Sequence, residues 1–311
     1  MDWSGTYAVL LVMLVSYGGA AAIIGSLFLG RFSPFRKKRK SPFTSNFLRA
    51  PGQTLGEKVD DIRTDVLLYM MIGAWGPTVM LAGAFGHAYI AEKRLSWVTV
   101  FLYGTTILIG LSWLGRKTYK LGRDLRQQLL GYEGEVAVGQ ELNQLMAHRF
   151  RVYHDFPADG FNIDHVVIGP TGVFAVETKA RAKPDTGDGK KDAHLVFDGQ
   201  RLCFPGWTET APLEQAQRQA NWLHQWIQRS AAESVPVVPV LALPGWFVDR
   251  KKSGAVLLSS GRDVESVYLR YNRTPGLNPQ QIQRIAHQVE GRCRNITPRV
   301  YRKSEKAMAR R

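Results

Sequence analysis

Three stretches in the first 115 residues carry no charged side chain, and the fold open to such a pattern is a set of helices that cross a membrane. Tyr7 to Gly30, Val66 to Ala91 and Ser96 to Gly115 each reach the roughly 20 apolar residues that a helix rising 1.5 Å per residue needs to span a hydrocarbon core about 30 Å thick. The second run holds Gly73, Gly76, Pro77, Gly83, Gly86 and His87, so it reads as kinked or helix-packed rather than as a plain anchor. Met1 to Thr6 contains Asp2 and neither Lys nor Arg, whereas a cleaved signal peptide starts basic, so the first run reads as a retained span.

Basic residues then fix the orientation. Arg31, Arg36, Lys37, Lys38, Arg39 and Lys40 follow the first run and put Met1 outside and the loop 31–65 inside. The outer turn is only Glu92 to Leu95, and its Lys93 and Arg94 slightly oppose that rule. Arg116, Lys117, Lys120, Arg123 and Arg126 outweigh them after the third run, which places everything beyond residue 116 in the cytoplasm. The reading is a multi-pass protein of the inner (cytoplasmic) membrane. Lys and Arg number 41 against 26 Asp and Glu, a net charge of +15 with its excess in 31–40, 116–126 and Arg292 to Arg311. Such clusters suit anionic lipid and nucleic-acid phosphate equally, so charge alone does not choose between them. Cys203 and Cys293 have no metal-knuckle spacing and read as incidental thiols.

Beyond the membrane region 1–115, a basic stalk, 116–130, continues the third helix until Gly131 and Gly134 break its pattern, and there the soluble domain, 131–291, begins, followed by the basic tail 292–311. Val138, Leu142 and Leu145 make one face of a helix over about 135–148. Three β-rich runs follow: Arg151 to Phe156, Ile163 to Ile168 and Gly172 to Lys179, the last two joined by the turn Gly169-Pro170-Thr171-Gly172. Ala182 to Asp192 is polar and reads as a mobile loop. His194 to Phe197 and Arg201 to Phe204 flank an Asp198-Gly199 turn as a second hairpin. A helix starting at Pro212, strands at Val235 to Leu243 and Ala255 to Leu258, and a helix at Pro279 to Val289 complete an α/β order with a mixed sheet flanked by helices.

Chemistry concentrates in Asn162-Ile163-Asp164-His165 and Glu177-Thr178-Lys179. Glu177 and Lys179 share one strand face, and Asp164 on the hairpin partner comes beside Glu177 when the strands pair across the Gly169 to Gly172 turn. Two such carboxylates, with a main-chain carbonyl and waters, suit octahedral Mg²⁺ or Mn²⁺, and Lys179 can orient the attacking water or stabilise phosphorane charge. The rival reading is a surface ion pair on one strand face. Glu135, at the head of the Val138 stripe, faces the sheet and is a further candidate ligand, although helix N-termini favour acids anyway. Gln215 can hydrogen-bond a phosphate or base, or be a plain exposed amide. Trp222 and Trp226, one turn apart, read as packing rather than base-stacking platforms.

Four ordered blocks now form one pattern: Gly131-Tyr132-Glu133-Gly134-Glu135, Asn162-Ile163-Asp164-His165-Val166-Val167-Ile168-Gly169-Pro170, Gly172-Val173-Phe174-Ala175-Val176-Glu177-Thr178-Lys179 and Pro212-Leu213-Glu214-Gln215-Ala216. Together they resemble the nuclease-related domain, NERD, of the PD-(D/E)xK restriction-endonuclease-like superfamily. The resemblance covers about 130–245 and implies a restriction-endonuclease-like mixed sheet. It also implies Asp164, Glu177 and Lys179 as the catalytic set, with Glu135 and Gln215 accessory, and Asp164, Glu177 and Glu135 holding Mg²⁺ or Mn²⁺. Ile163 stands where the superfamily's name has Pro. The function expected is metal-dependent hydrolysis of nucleic acid, DNA first, beside the lipid bilayer. The competing expectations are a catalytically silent nucleic-acid-binding or scaffold module, and a membrane interaction protein whose acids serve only structure.

Overall fold

A computed structural model describes residues 42–90 and 96–298, with Gly18 alone before them. The first uncharged run, the basic cluster 31–40, the turn 92–95, the His87 side chain and the tail beyond residue 298 lie outside the described residues. The second uncharged run up to Ile90 and the third from Trp97 form parts of α1 (Gln53–Ile90) and α2 (Trp97–Asn143). Gln53–Gly86, at mean hydropathy 1.5, and Trp97–His148, at 1.6, are long and apolar enough to cross a membrane. Their apolar side chains are largely unburied: Leu67, Met70, Trp97, Phe101, Leu108 and Ile109 are all exposed. Gly73 lets the two helices approach, since a Cβ there would come 2.9 Å from Leu114 Cδ2, and Tyr69 meets Trp113 edge to face at 6.3 Å.

The expected break at Gly131 and Gly134 is absent, and no separate helix spans 135–148. α2 runs through both glycines to Asn143, and a 3₁₀ turn at Gln144–His148 ends it with Arg149 in the left-handed region at φ 66°. A glycine inside a helix costs only about 1 kcal/mol, and Gly134 serves contact instead: a Cβ there would lie 2.7 Å from Ala180 Cβ.

The chain divides into two compact units, Val59–Arg126 and a mixed α/β unit that takes in Ser41–Lys58 as well as the chain from Gln127. The segment expected to be only a connecting loop therefore packs on the α/β unit. Phe47 and Ile296 exchange main-chain hydrogen bonds of 2.8 and 3.1 Å.

That unit is built on a five-stranded sheet in the order β1-β2-β3-β7-β9. β1 (Arg151–Pro157), β2 (Asn162–Gly169) and β3 (Gly172–Thr178) form an antiparallel meander, and β7 (Val237–Ala242) and β9 (Leu257–Ser259) extend it in parallel. A crossover forces the parallel pairing: α4 (Ala211–Ala231) lies between β3 and β7, and its Ala216, Ala220, Leu223 and Ile227 are buried. α4 and α5 (Pro279–Cys293) cover one sheet face around Phe156, Val166, Ala175 and Leu223. On the other, Val138, Leu142 and Leu145 of α2 and its 3₁₀ turn meet Phe174, Val176 and Tyr268.

A second, four-stranded sheet runs β6-β5-β4-β8, from β4 (His194–Phe197), β5 (Leu202–Phe204), β6 (Trp207–Glu209) and β8 (Phe247–Arg250). Only β4 and β5 are legible beforehand, because β6 and β8 have no buried residue and so carry no apolar stripe. The loop expected over 182–192 contains one helical turn, α3 (Gly189–Asp192), and Asp192 anchors it by accepting from Thr186 N at 2.9 Å and Thr186 Oγ1 at 2.6 Å.

Candidate active site

β2 and β3 pair with constant register from Gly169↔Gly172 to His165↔Val176, and β1 pairs with β2 through His154↔His165 and Phe156↔Ile163. Continuing those registers by one step sets Asp155, Asp164 and Glu177 level with one another on three adjacent strands. The ladder is broken at just that level, for neither Asp155 with Asp164 nor Asp164 with Glu177 forms a pair. The main chain released there bonds side chains instead: Thr178 N donates to Asp164 Oδ2 at 2.6 Å.

Glu177 is 2% exposed and doubly held. Lys179 Nζ donates to its Oε1, and Gln219 Nε2, reaching in from α4, donates to its Oε2 at 2.5 Å. The same Gln219 nitrogen donates to the Asn162 carbonyl at 3.2 Å, while Gln219 Oε1 is buried with no partner among the described residues. Glu135 on α2 is buried as well, at 8% exposure. Three acids thus crowd around one ammonium.

The crowding is visible in the electrostatics. Burial first, then the charges of Asp155 and Glu177, pushes the Glu135 carboxyl up to about 8, against partial relief from Lys179 and Lys58. Burial, then Glu177 and Glu135, pushes Asp164 well above the usual carboxylate range despite the Thr178 N–H. Each carboxylate is thereby primed for a proton or a cation.

Beneath the acids, on the α2 side, runs a buried histidine chain. His154 Nε2 lies 3.0 Å from Asn143 Oδ1, which can only accept, so that nitrogen carries the proton. His154 Nδ1 then accepts from His165 Nδ1 at 2.9 Å, and His165 Nε2 accepts from Thr178 Oγ1 at 3.3 Å. Burial holds His154 down to about 4 and pushes His165 lower than a free imidazole, so both rings are neutral.

The structure therefore brings together four of the five expected site residues, Glu135, Asp164, Glu177 and Lys179. Gln215, half-buried one helical turn before Gln219, has no side-chain hydrogen bond among the described residues. Gln219 is the glutamine that reaches the acids, and the signal for it was its place one turn after Gln215 on the same helix face. Trp222 and Trp226 pack on Phe156 with centroids 6.1 and 5.0 Å away.

No three His, Cys, Asp or Glu side chains among the described residues converge into a cage that alone would hold a metal. Asp164 and Glu177 are the anionic oxygens that could hold a hard cation, one that keeps much of its own water. Gln219 Oε1, an acceptor without a donor, fits a metal-bound water equally.

Among known proteins, no curated protein and no solved structure matches the chain. A family model does: residues 130–244 match the model described as nuclease-related domain. The matched segment starts within α2, contains Glu135, Asp164, Glu177, Lys179 and Gln219, and closes after β7. The acids, the lysine and the glutamine gathered at one end of the mixed sheet thus all lie in residues 130–244, the segment of this chain that matches the nuclease-related domain family, NERD.

Proposed function

We propose that the protein is a membrane-anchored, Mg²⁺- or Mn²⁺-dependent nuclease that hydrolyses phosphodiester bonds of nucleic acid, DNA first, at the cytoplasmic face. The observation that carries this reading is the level row of Asp164 and Glu177, with Lys179 bonded to Glu177, where the pairing of β2 with β1 and β3 fails. It is the arrangement that the PD-(D/E)xK pattern describes. Asp164 and Glu177 would hold the metal with Glu135 close by, and the metal would supply a nucleophilic hydroxide at neutral pH and charge neutralisation at the phosphate. Lys179, with its ammonium fixed by Glu177, meets the negative charge that grows on the phosphoryl oxygens. Gln219 keeps Glu177 in one rotamer. The exposed apolar surface of α1 and α2 supports the membrane anchor, since soluble proteins do not present such helices to water.

The test is titration of the purified full chain with Mg²⁺ and Mn²⁺ against linear, circular and single-stranded DNA and RNA. Asp164→Ala and Glu177→Ala should abolish cleavage and Mn²⁺ binding together. Lys179→Ala should abolish cleavage and leave Mn²⁺ binding in place, because an ammonium has no lone pair to donate. No divalent-metal binding, or variants that cleave like the wild type, would reject the nuclease and leave a silent nucleic-acid-binding module. Reporter fusions after residues 45 and 311 should both read cytoplasm.

A further inference from the structure

Asp155 sits in the middle of β1 with φ 47°, in the left-handed region that costs a non-glycine residue roughly 1 kcal/mol or more. Such strain persists only where the surroundings over-determine it. Here they do, because Asp155 is 3% exposed and its carboxylate accepts four hydrogen bonds. Asn162 Nδ2 donates to Oδ1 at 2.9 Å. The other three converge on Oδ2, from Arg49 Nε at 2.8 Å, Thr54 N at 3.0 Å and Thr54 Oγ1 at 2.7 Å. Asp155 thereby caps the start of α1, about a hundred residues earlier in the chain.

The arm that supplies Arg49 and Thr54 is seated elsewhere too. Arg49 N donates to Cys293 O at 3.1 Å, Phe47 bridges Ile296, and Pro51 fills the space left by Gly139, where a Cβ would come within 2.7 Å of its ring. The arm lies outside the segment that matches the family.

Its contacts lead directly to the site. Asn162, which bonds Asp155 and, at 2.6 Å, Thr54 Oγ1 through its side chain, offers its carbonyl to Gln219 Nε2, and that nitrogen holds Glu177 Oε2. Arg49, Asp155, Asn162, Gln219 and Glu177 form one unbroken path of direct hydrogen bonds. We propose that residues 47–54 are a positioning arm of the active site: docked on Asp155, they fix Asn162 and Gln219 and thereby the rotamer of Glu177, so that the family segment alone is an incomplete site. Arg49, Thr54, Asp155 and Asn162 are positioning residues, and none need touch the reacting phosphate. This inference rests on the nuclease reading for its activity readout only.

The experiment uses the full chain in detergent or nanodiscs with Arg49→Ala, Arg49→Lys and Thr54→Val. Arg49→Ala and Thr54→Val should lower kcat and Mn²⁺ affinity by about ten- to a hundredfold, the usual effect of losing a group that orients a metal ligand, with KM for DNA nearly unchanged. Arg49→Lys, which keeps a cation opposite Asp155, should recover most of the loss. Hydrogen exchange should rise at 47–56 and, in step, at Thr178 and Lys179. If Arg49→Ala fails to fold, Thr54→Val carries the test, because it keeps the main-chain N–H that Asp155 caps and deletes only the hydroxyl. A released arm with unchanged kcat, Mn²⁺ affinity and exchange at 177–179 would overturn the proposal. If the wild type cleaves nothing, the nuclease reading fails by itself, and metal affinity and exchange at 177–179 still decide whether the arm positions Glu177.

Discussion

The two ends of the hairpin formed by β2 and β3 are made from the same strands and do opposite things. At the turn end, Ile168 pairs with Val173 and Gly169 with Gly172, every side chain is apolar and buried, and α2, α4 and α5 cover both faces. At the open end the ladder stops after His165↔Val176, and the next level holds Asp164 and Glu177. One residue separates a fully paired core from a cluster of acids. The lesson is that the apolar end supplies the stability against which the acid end can hold like charges together, and stability and activity should therefore respond separately to changes at the two ends.

The largest expected effect is at the acid end. Glu177→Gln removes one negative charge from beside Asp164 and Glu135 while keeping the shape that Lys179 and Gln219 bond. Cleavage should fall by about a thousandfold or more, the scale of losing a key electrostatic group, whereas the melting temperature of the metal-free protein should hold or rise. A variant that loses activity and stability together would collapse the distinction between the ends.

The second effect is set by the histidine chain behind the acids. His154 has its folded value at about 4 against 6.5 when free, so the folded state binds the proton less well than the unfolded one. Its contribution is complete above pH 6.5 and is lost as pH falls from 6.5 towards 4, amounting to about 3 kcal/mol for a shift of this size. The raised carboxyls of Glu135 and Asp164 act in the opposite sense, since their protonated forms favour folding as pH drops. The histidine term is therefore read as the difference between wild type and His154→Asn in urea midpoints at pH 7.5 and 4.5. A constant difference across that interval would refute it.

These contrasts also mark what could be read in the sequence. The Gly169 to Gly172 turn fixes the register of β2 on β3, and a two-residue side-chain period then carries Asp164 to the level of Glu177, so the central pair follows from counting. Glu135 followed from the Val138 stripe on α2. Gln219 did not, because which of two glutamines one turn apart reaches the sheet depends on how α4 rolls against it, and that roll is set by Ala216, Ala220 and Leu223 packing across the sheet. Asp155 and the arm were invisible for a related reason: their partners lie about a hundred residues apart, and no local periodicity reports a left-handed aspartate inside a strand. Likewise the glycines at 131 and 134 read as helix breakers when they are places of close approach.

At the turn end the expected effect is smaller and falls on stability alone. A Cβ on Gly169 would lie 2.0 Å from Phe150 Cδ1, so Gly169→Ala must displace the Phe150 ring. Overpacking of this kind costs about 2 kcal/mol. Chemical denaturation should show that loss, while kcat per folded molecule stays at the wild-type value. A drop in kcat would mean that strain travels along β2 to Asp164 and that the two ends are coupled.

The smallest effect concerns Arg292, which the sequence assigns to the basic tail. Its guanidinium instead lies over Phe156, Trp222 and Trp226, with Cζ 5.7, 5.5 and 5.6 Å from the ring centroids. Nε donates to Pro157 O at 2.5 Å and Nη2 to Asp159 Oδ1 at 2.8 Å, while Arg294 is engaged by Glu290 at 2.6 Å. Arg292 thus closes the last turn of α5 onto the acid end of β1 without belonging to the hydrogen-bond path that runs from Arg49 to Glu177. Arg292→Lys keeps the charge and loses the planar stacking and the forked donors, which should cost about 1 kcal/mol of stability and nothing in kcat. The salt dependence of DNA binding should not change either, because this guanidinium is already spent on protein groups. Deleting 299–311, with Arg299, Arg302, Lys303, Lys306, Arg310 and Arg311, should by contrast lower the log-log slope by about 0.9 for each phosphate that the tail neutralises. If Arg292→Lys flattens the salt slope and the deletion does not, phosphate binding belongs to the aromatic patch on α4 and β1, and the tail has no part in it.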